Sequence, residues 1–422
     1  MKNKRNVIAL IIFNFGINTY WMVENFWINL YWTRNIDPHV YYVGFMVALS
    51  AIVGVLTQIF FGAFSDSCTS KYGRRRPFML FAAITGGISM CFFPITRLFS
   101  IVIMAVIYGV IMDALITFFG DISTPTRLAF LTESTEIQER GTVNAIMGLT
   151  AAISTVLVVG FSGYIVDFAG PDFAFYYAGF LMIVCGIVFF IISREEPMKV
   201  REKTWKENFK ETFTIESYRE NKSLYILLFF LFINTIGVQI VAPFLFIYIE
   251  TIFKLKGIEL GIIIAALGLI TLLLSFPAGV LVDKFGRKPI MIASTFGAAV
   301  FLILFSTIPI ETDYTLFLVF LYGGLMTGFM AAISACADTW MQDLSPEDRR
   351  GSMLAYKIVA MVIPMVPGAL IGGYLADNGP KPEGYLYSPI IFIVSAIFIL
   401  ISVFLLKNIE ETLKKEKEIK SK

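Results

Sequence analysis

Glu24 and Asp113 are carboxylates inside long apolar runs, where an ionised group is costly and is therefore a functional candidate. Glu24 belongs to the run that begins at Val7, and Asp113 to the fourth such run; neither has a Lys or Arg within four positions. A carboxyl group in apolar surroundings can exchange a proton near neutral pH, which is the chemistry of proton coupling. We predict that Asp113 and Glu24 couple protons. The alternative is a carboxylate that pairs with another helix or faces a wet cavity.

Amides and flat aromatic rings accompany these acids. A sugar offers hydroxyl groups and an apolar ring face, and an amide that faces lipid is unfavourable. The candidate substrate-binding residues lie in the first and seventh apolar runs: Asn18, Trp21, Asn25, Asn234 and Gln239. Any single Trp or Tyr can instead belong to the aromatic belt at the membrane surface.

Composition indicates the class of protein. Of 422 residues, 57% are hydrophobic and only 16% charged, with a mean hydropathy of +0.75. Soluble domains are about a quarter charged, so the chain is predicted to be an integral membrane protein. A net charge of +2 gives no support for a nucleic-acid partner.

Several kinds of reactive site are not expected. The four cysteines are far apart and the one histidine is His39, so neither a metal centre nor a disulfide framework is predicted. We find no nucleophile–base pair and no nucleotide-binding loop, so no enzyme and no cofactor are expected. Energy must then come from an ion gradient, of H⁺ or of Na⁺.

Twelve apolar runs are long enough to cross a bilayer, which takes roughly 20 residues. The first exceeds a signal-peptide core and is interpreted as a retained helix. The predicted spans are 7–33, 41–64, 77–96, 98–126, 141–166, 172–192, 223–252, 258–282, 289–309, 314–342, 351–376 and 385–406.

The distribution of basic residues predicts the orientation. With the N-terminus inside, 29 of the 34 Lys and Arg lie on the inner side. By the positive-inside rule both termini are cytoplasmic, in a multi-pass protein of the plasma membrane.

A charged connection divides the chain into two six-helix halves. We predict an N-terminal bundle at 1–192, a cytoplasmic linker at 193–222, a C-terminal bundle at 223–407 and a charged tail at 408–422. Half of the 30 linker residues are charged, and Trp205, Phe209 and Phe213 recur at a spacing of four. That spacing fits a surface helix; a solvated linker fits equally well.

The two halves repeat the same loop motifs. Gly62-x3-Asp66 with Gly73-Arg-Arg-Arg-Pro corresponds to Gly279-x3-Asp283 with Gly286-Arg-Lys-Pro. In the next inner loops, an acid precedes an arginine by seven residues in each half: Glu133 and Arg140, then Asp343 and Arg350. Parallel repeats suit a two-lobed transporter with its site where the lobes meet.

These loop motifs resemble the signature of the major facilitator superfamily, Gly-x3-Asp-x2-Gly-Arg-Lys/Arg. The resemblance covers essentially the whole chain and implies an all-α membrane fold of twelve helices in two pseudo-symmetric bundles. It also implies a cytoplasmic gate of ion pairs, closed when the carrier faces outward. The expected gate residues are Gly62, Asp66, Gly73, Arg74, Asp121, Glu133, Arg140, Asp283, Gly286, Arg287, Asp343 and Arg350. The alternative is that the arginines only determine topology.

Three short stretches resemble one branch of that superfamily. The ending Gly73–Phe78, the pair Val23-Glu24, and Asp113 followed by Pro125-Thr-Arg-Leu and Glu133 are similar to sucrose carriers and to the glycoside-pentoside-hexuronide:cation symporters. The spacing from Asp113 to Pro125 is three residues longer than in sucrose carriers. Melibiose carriers have acids in the second helix, and span 41–64 has none.

The leading hypothesis is a monomeric secondary transporter that imports a sugar, a glycoside, with a proton by alternating access. A proton-coupled exporter of drugs or other amphiphiles is the second hypothesis. A transport-inactive sensor or assembly factor on the same scaffold is the third. The small-molecule substrate and the lipid bilayer are the only partners expected.

Overall fold

Helices form nearly all of the ordered elements in a computed structural model of the chain. The structure describes residues 4–66, 68–135, 143, 146–151, 153–155, 157, 168–195, 221–255, 257–310, 312–344, 360–409 and 411. Most of predicted span 5, the linker segment with Trp205, Phe209 and Phe213, and the C-terminal tail beyond residue 411 lie outside the described residues.

Among the described residues, six α-helical segments of the first half have defined bounds. A π-helical stretch, Val23–Ile28, joins the first two into one span, and a 3₁₀ stretch, Phe93–Leu98, prolongs the fourth. The segments are α1 Lys4–Met22, α2 Asn29–Asn35, α3 Val40–Asp66, α4 Arg76–Phe92, α5 Val102–Ser134 and α6 Phe173–Ile192.

Seven α-helical segments have defined bounds in the described part of the second half. They are α7 Lys222–Val241, α8 Leu245–Ile252, α9 Gly257–Phe285, α10 Arg287–Ser306, α11 Thr315–Leu344, α12 Met365–Asn378 and α13 Ile390–Leu406. A three-residue turn that includes Pro243 divides predicted span 7 into α7 and α8, because proline has no N–H group for the helical ladder.

The fourth span is longer than predicted. We expected it to end near residue 126, with Glu133 in a loop, but α5 continues through Pro125 to Ser134. Neighbouring groups can satisfy the backbone that a proline frees in a membrane helix. Glu133 and Arg127 are consequently helical residues held at a fixed angle to Asp113.

Among the described residues, nine helices are long and apolar enough to cross a membrane, and the apolar helices Ile390–Leu406 and Glu259–Thr271 are shorter. A third short apolar helix, Ile146–Thr155, belongs to predicted span 5, most of which lies outside the described residues.

The chain divides into two compact units, Met1–Glu202 with Lys256–Ile262, and Lys203–Leu255 with Ile263–Lys422. In the first, α4 and α6 approach closely at Gly87 and Gly179, where a methyl group on either glycine would collide with the other's carbonyl oxygen. The core of the second unit gathers apolar side chains of α7, α10, α11 and α13 around Trp340.

Candidate functional site

Asp113 lies in the interior of the first unit. Its side chain is 3% exposed, and its Oδ2 accepts a hydrogen bond from Ser50 Oγ of α3 at 2.5 Å. Ser50 is itself buried. In the described part of the chain, Asp113 forms no ion pair with Lys or Arg.

Asp121 lies two turns further along α5 and repeats this arrangement. Its Oδ1 accepts hydrogen bonds from Gln58 Nε2 at 3.0 Å and from Thr124 Oγ1 at 3.2 Å. The pairs Ser50–Asp113 and Gln58–Asp121 have the same separation of 63 residues. α3 and α5 therefore run side by side with their polar residues in register.

Gly54 makes this register possible. It lies midway between Ser50 and Gln58, and a Cβ atom there would collide with Asp121 Oδ2 and lie 3.4 Å from Thr117 Cγ2. The missing side chain lets α5 approach α3 closely enough for both hydrogen bonds. We did not predict Ser50, Gly54 or Gln58; their spacing of four along one helix face was the available signal.

Glu24 is the third acid of the group. It lies in the π-helical stretch, a type of helix distortion that is frequent at functional sites. Asp113 and Asp121 are close enough to Glu24 for their charges to act on it. The structure thus brings together the two predicted proton-coupling residues and adds Asp121, which we had assigned to the gate.

Trp21 and Tyr20 adjoin the acid group. A Cβ atom at Gly120 would lie 2.9 Å from Trp21 Cζ2 and 2.9 Å from Tyr20 Cε1, so both rings contact α5 next to Asp121. The Tyr20 hydroxyl donates to the Ile116 carbonyl at 2.6 Å. The predicted substrate residue Trp21 therefore lies beside the predicted proton carriers.

The predicted amide residues of α1 and the π-helical stretch are only partly enclosed. Asn18 Nδ2 donates to the Asn14 carbonyl at 2.6 Å, and Asn25 Nδ2 to the Trp21 carbonyl at 2.8 Å. These bonds within one helix direct each amide and leave its Oδ1 available as an acceptor.

Two further predicted substrate residues belong to the second unit. Asn234 is 5% exposed, and its Nδ2 has no hydrogen-bond partner among the described residues. Gln239 is half-buried and lies against Gly368 of α12, where a Cβ atom would be 2.7 Å from Gln239 Cβ.

Two predicted gate residues of the first half, Arg74 and Glu133, lie in a compact ion-pair group. Glu133 Oε1 accepts hydrogen bonds from Arg74 Nη2 at 2.6 Å and from Arg75 Nη2 at 3.1 Å. Arg75 also donates to Ser65 Oγ at 2.5 Å. The pairing connects the 71–75 loop to the last turn of α5.

In the second half, Arg287 and Asp343 repeat the pairing of an arginine with an acid. Arg287 Nε donates to Asp343 Oδ2 at 2.8 Å. Arg140 and Arg350, which we had matched to these acids, lie outside the described residues, as do the side chains of Asp66 and Asp283. Gly62 needs no close approach, because a Cβ atom there would make an ordinary 3.6 Å contact with Pro125.

Two glutamates that we did not predict complete these groups. Glu195 accepts hydrogen bonds from the backbone N–H of Arg75, the shorter at 2.9 Å, and from that of Arg76 at 3.3 Å. Glu411 accepts from the backbone N–H of Arg287 at 3.1 Å and of Lys288 at 2.8 Å. Each carboxylate satisfies free N–H groups at a helix N-terminus and complements its dipole.

A glycine with the same backbone conformation precedes each capped helix. Gly73 and Gly286 both have φ of +100°, a region that other residues rarely adopt. A signal for the glutamates existed in the sequence, since both follow the last helix of their half at nearly equal distances from the corresponding glycine.

Solved structures with low sequence identity share this architecture. A D-xylose-proton symporter matches with a TM-score of 0.77 and 17% identity, over 98% of this chain and 99% of that one. A mutant of the nucleoside transporter NupG also matches with a TM-score of 0.77 and 12% identity, over 95% of this chain and 99% of that one.

Curated relatives match over part of their length. An uncharacterized MFS-type transporter of Methanocaldococcus jannaschii is 26% identical over 46% of this chain and 48% of its own. The class H tetracycline resistance protein of Pasteurella multocida is 27% identical over 37% of this chain and 38% of its own. The quinolone resistance protein NorA of Staphylococcus aureus is 27% identical over 42% of this chain and 45% of its own. The chain spans less than half the length of these relatives.

The sequence profile of the Major Facilitator Superfamily matches residues 7–257 and again residues 227–422. The two matches together extend over nearly all of the chain and both of its units. With twelve apolar runs, two compact helical units and duplicated gate motifs, this multi-pass membrane protein belongs to the Major Facilitator Superfamily of transporters.

Proposed function

We propose that this transporter is a proton-coupled symporter for a sugar, a glycoside, working by alternating access. The observation that carries the proposal is the group of three acids, Glu24, Asp113 and Asp121, in the membrane-spanning part of one unit. None of the three forms an ion pair with a basic residue in the described part of the chain.

Proton binding is the reaction that suits these acids. A buried carboxylate without a cationic partner is costly in a membrane, and the cost falls when the group takes up a proton. The Ser50 hydroxyl can donate to the carboxylate of Asp113 and, after rotation, accept from its protonated form. Asp113 can then change its protonation state without losing its hydrogen bond. Na⁺ is the alternative coupling ion.

The side chains around the three acids support a sugar as the substrate. The indole of Trp21 offers a flat apolar surface, and Asn18 and Asn25 offer acceptors for hydroxyl groups. Binding beside the acids would link proton uptake to substrate through direct contact.

The test is the pH outside lightly buffered proteoliposomes when mono- and disaccharides are added singly. We expect one sugar to alkalinise the medium, and Asp113→Asn to abolish the signal while the protein still binds that sugar. Asp172→Asn is the control, because Asp172 pairs with Arg97 at 2.7 Å, away from the acid group. Alkalinisation that persists in Asp113→Asn would contradict coupling at this residue.

Export of an amphiphile is the second candidate, favoured by the names of the tetracycline and quinolone resistance relatives. The same acids would then exchange a proton against substrate. Extrusion of a lipophilic dye driven by a pH gradient, with no response to any sugar, would select this function over sugar import.

We further propose that the protein acts as a monomer in the plasma membrane with both termini in the cytoplasm. The basis is the excess of Lys and Arg on one predicted side.

A further inference from the structure

Arg127 of α5 is another ionisable residue within a candidate membrane span of the first unit, where a charge is costly. The proposed proton coupling does not use it. Its Nη1 donates to Asn14 Oδ1 of α1, and its Nε is buried without a hydrogen-bond partner in the described part of the chain. No carboxylate pairs with it among those residues. A guanidinium stays charged at any accessible pH, so Arg127, unlike Asp113, cannot lower this cost by changing protonation.

The side chain of Arg127 points away from Ser134, the end of α5 that lies nearest to it. Arg127 is seven residues before Ser134, where α5 ends, and long helical side chains lean toward the N-terminal turn. Its partner Asn14 is ten residues into α1, about 15 Å along the axis. The guanidinium therefore points into the span rather than toward the surface near Ser134.

Asn14 holds Arg127 in a defined orientation. The Asn14 side chain is 1% exposed, and its Nδ2 donates to the Met147 carbonyl at 2.9 Å. That bond determines which way the amide faces and presents its oxygen to Arg127. Arg127 itself is half-buried, so part of its side chain remains accessible.

We infer that Arg127, positioned by Asn14, binds an anionic group of the substrate, a carboxylate. A buried cation is stabilised when a ligand supplies the missing charge, and a guanidinium matches a carboxylate with two parallel hydrogen bonds. The inference refines the proposed function: the transported molecule carries an acidic group, and its charge and the coupled proton cancel.

The experiment compares matched acid and neutral ligands on purified full-length protein by titration calorimetry. One pair is p-nitrophenyl glucuronide and p-nitrophenyl glucoside; the other, without a sugar, is benzoate and benzamide. In at least one pair we expect the acid to bind the wild type tenfold or more tightly than its neutral partner, as a charged hydrogen bond predicts.

Four variants test whether Arg127 is the residue responsible. Arg127→Gln should weaken binding of the acid by tenfold or more and change that of the neutral ligand less than twofold, and Arg127→Lys should retain part of the preference. Arg97→Gln removes an arginine of the same unit that already pairs with Asp172, and should leave the preference intact. Asn14→Asp supplies an internal carboxylate and should also remove the preference, which tests the idea if Arg127→Gln does not fold.

Equal or tighter binding of the neutral member in both pairs, or binding of neither acid, would overturn the inference. So would unchanged acid affinity in Arg127→Gln. The sugar proposal is tested separately, because binding of the glucoside without a preference for the acid would contradict the acid site but not a sugar substrate. Preference for benzoate with no binding of either sugar would support the acid site and contradict the sugar.

Discussion

At the scale of single residues, the N-terminal ends of α4 and α10 depend on one glycine and one glutamate each. Gly73 adopts a φ of +100° and lies against Glu195, whose Cβ would be 2.6 Å from a Cβ atom at position 73. The backbone conformation and the close contact with Glu195 both require glycine at position 73. The cap at the N-terminal end of α4 depends on that contact.

We predict that Gly73→Ala destabilises the protein by roughly 2–4 kcal/mol, the sum of a left-handed backbone penalty and displacement of Glu195. The measurement is thermal unfolding followed by fluorescence-detected size exclusion. Gly170→Ala is the matched control, since Gly170 also has a positive φ, +89°, but a Cβ atom there would touch nothing within 4 Å. Equal losses in the two variants would show that Glu195 contributes nothing.

Glu133 is the residue on which the first gate group converges. Arg74 and Arg75 both bond to its Oε1, and the side chain of Arg75 is only 5% exposed. Removing the carboxylate would leave two largely enclosed cations without this charge.

We predict that Glu133→Gln lowers the free energy of unfolding by about 2–4 kcal/mol. Asp343→Asn should lower it by only about 1–2 kcal/mol, because the side chain of Asp343 is 30% exposed against 20% for Glu133, and water screens the lost charge. Thermal unfolding of the two variants at low and high salt checks the order. A larger loss in Asp343→Asn would contradict the structural difference between the two groups.

At the scale of elements, the register between α3 and α5 gives Asp113 and Asp121 their hydrogen-bond donors. Ser50, Gly54 and Gln58 recur every four residues on α3 and face Asp113, Thr117 and Asp121 of α5. The carboxylates of Asp113 and Asp121 thereby each accept a hydrogen bond from α3.

We predict that Gly54→Ala reduces transport tenfold or more, because the added methyl group displaces Asp121 from Gln58. Gly148→Ala is the control in the same unit, because a Cβ atom there would meet nothing within 4 Å, and it should change transport less than twofold. The assay is uptake or extrusion by proteoliposomes, normalised to folded protein. Similar activities in both variants would argue against the close approach at Gly54.

At the scale of the whole molecule, each half carries the same pattern of ion pair and helix cap, and the halves differ in the candidate residues of their membrane spans. Arg75 with Glu133 and Glu195 corresponds to Arg287 with Asp343 and Glu411. The acid group, in contrast, belongs to the first unit, and the second contributes the amides Asn234 and Gln239. Coupling is therefore proposed for the first half, whereas both halves are proposed to contribute amides that bind the substrate.

The orientation of the molecule gives the last prediction. With the four native cysteines replaced, Lys71→Cys should react with a membrane-impermeant maleimide only after the cells are opened. Lys254→Cys and Lys381→Cys should react in intact cells, because the excess of basic residues places the first position inside and the other two outside. The reverse pattern would overturn the proposed topology.

Much of the fold could be predicted from the sequence, because a bilayer imposes apolar runs of sufficient length and asymmetric basic loops. These local properties predicted the helical membrane class, and the repeated motifs at Gly73 and Gly286 predicted the superfamily. Asp113 and Glu24 could be selected as candidates because a charge inside an apolar run needs a reason.

Only the tertiary structure showed which groups meet. The partnership of Ser50 with Asp113, the caps by Glu195 and Glu411, and the bond between Arg127 and Asn14 each join residues that lie on different elements of the chain. They depend on helix register and on close approach at a glycine such as Gly54. Those quantities arise from the packing of side chains between helices, and no single stretch of sequence contains them.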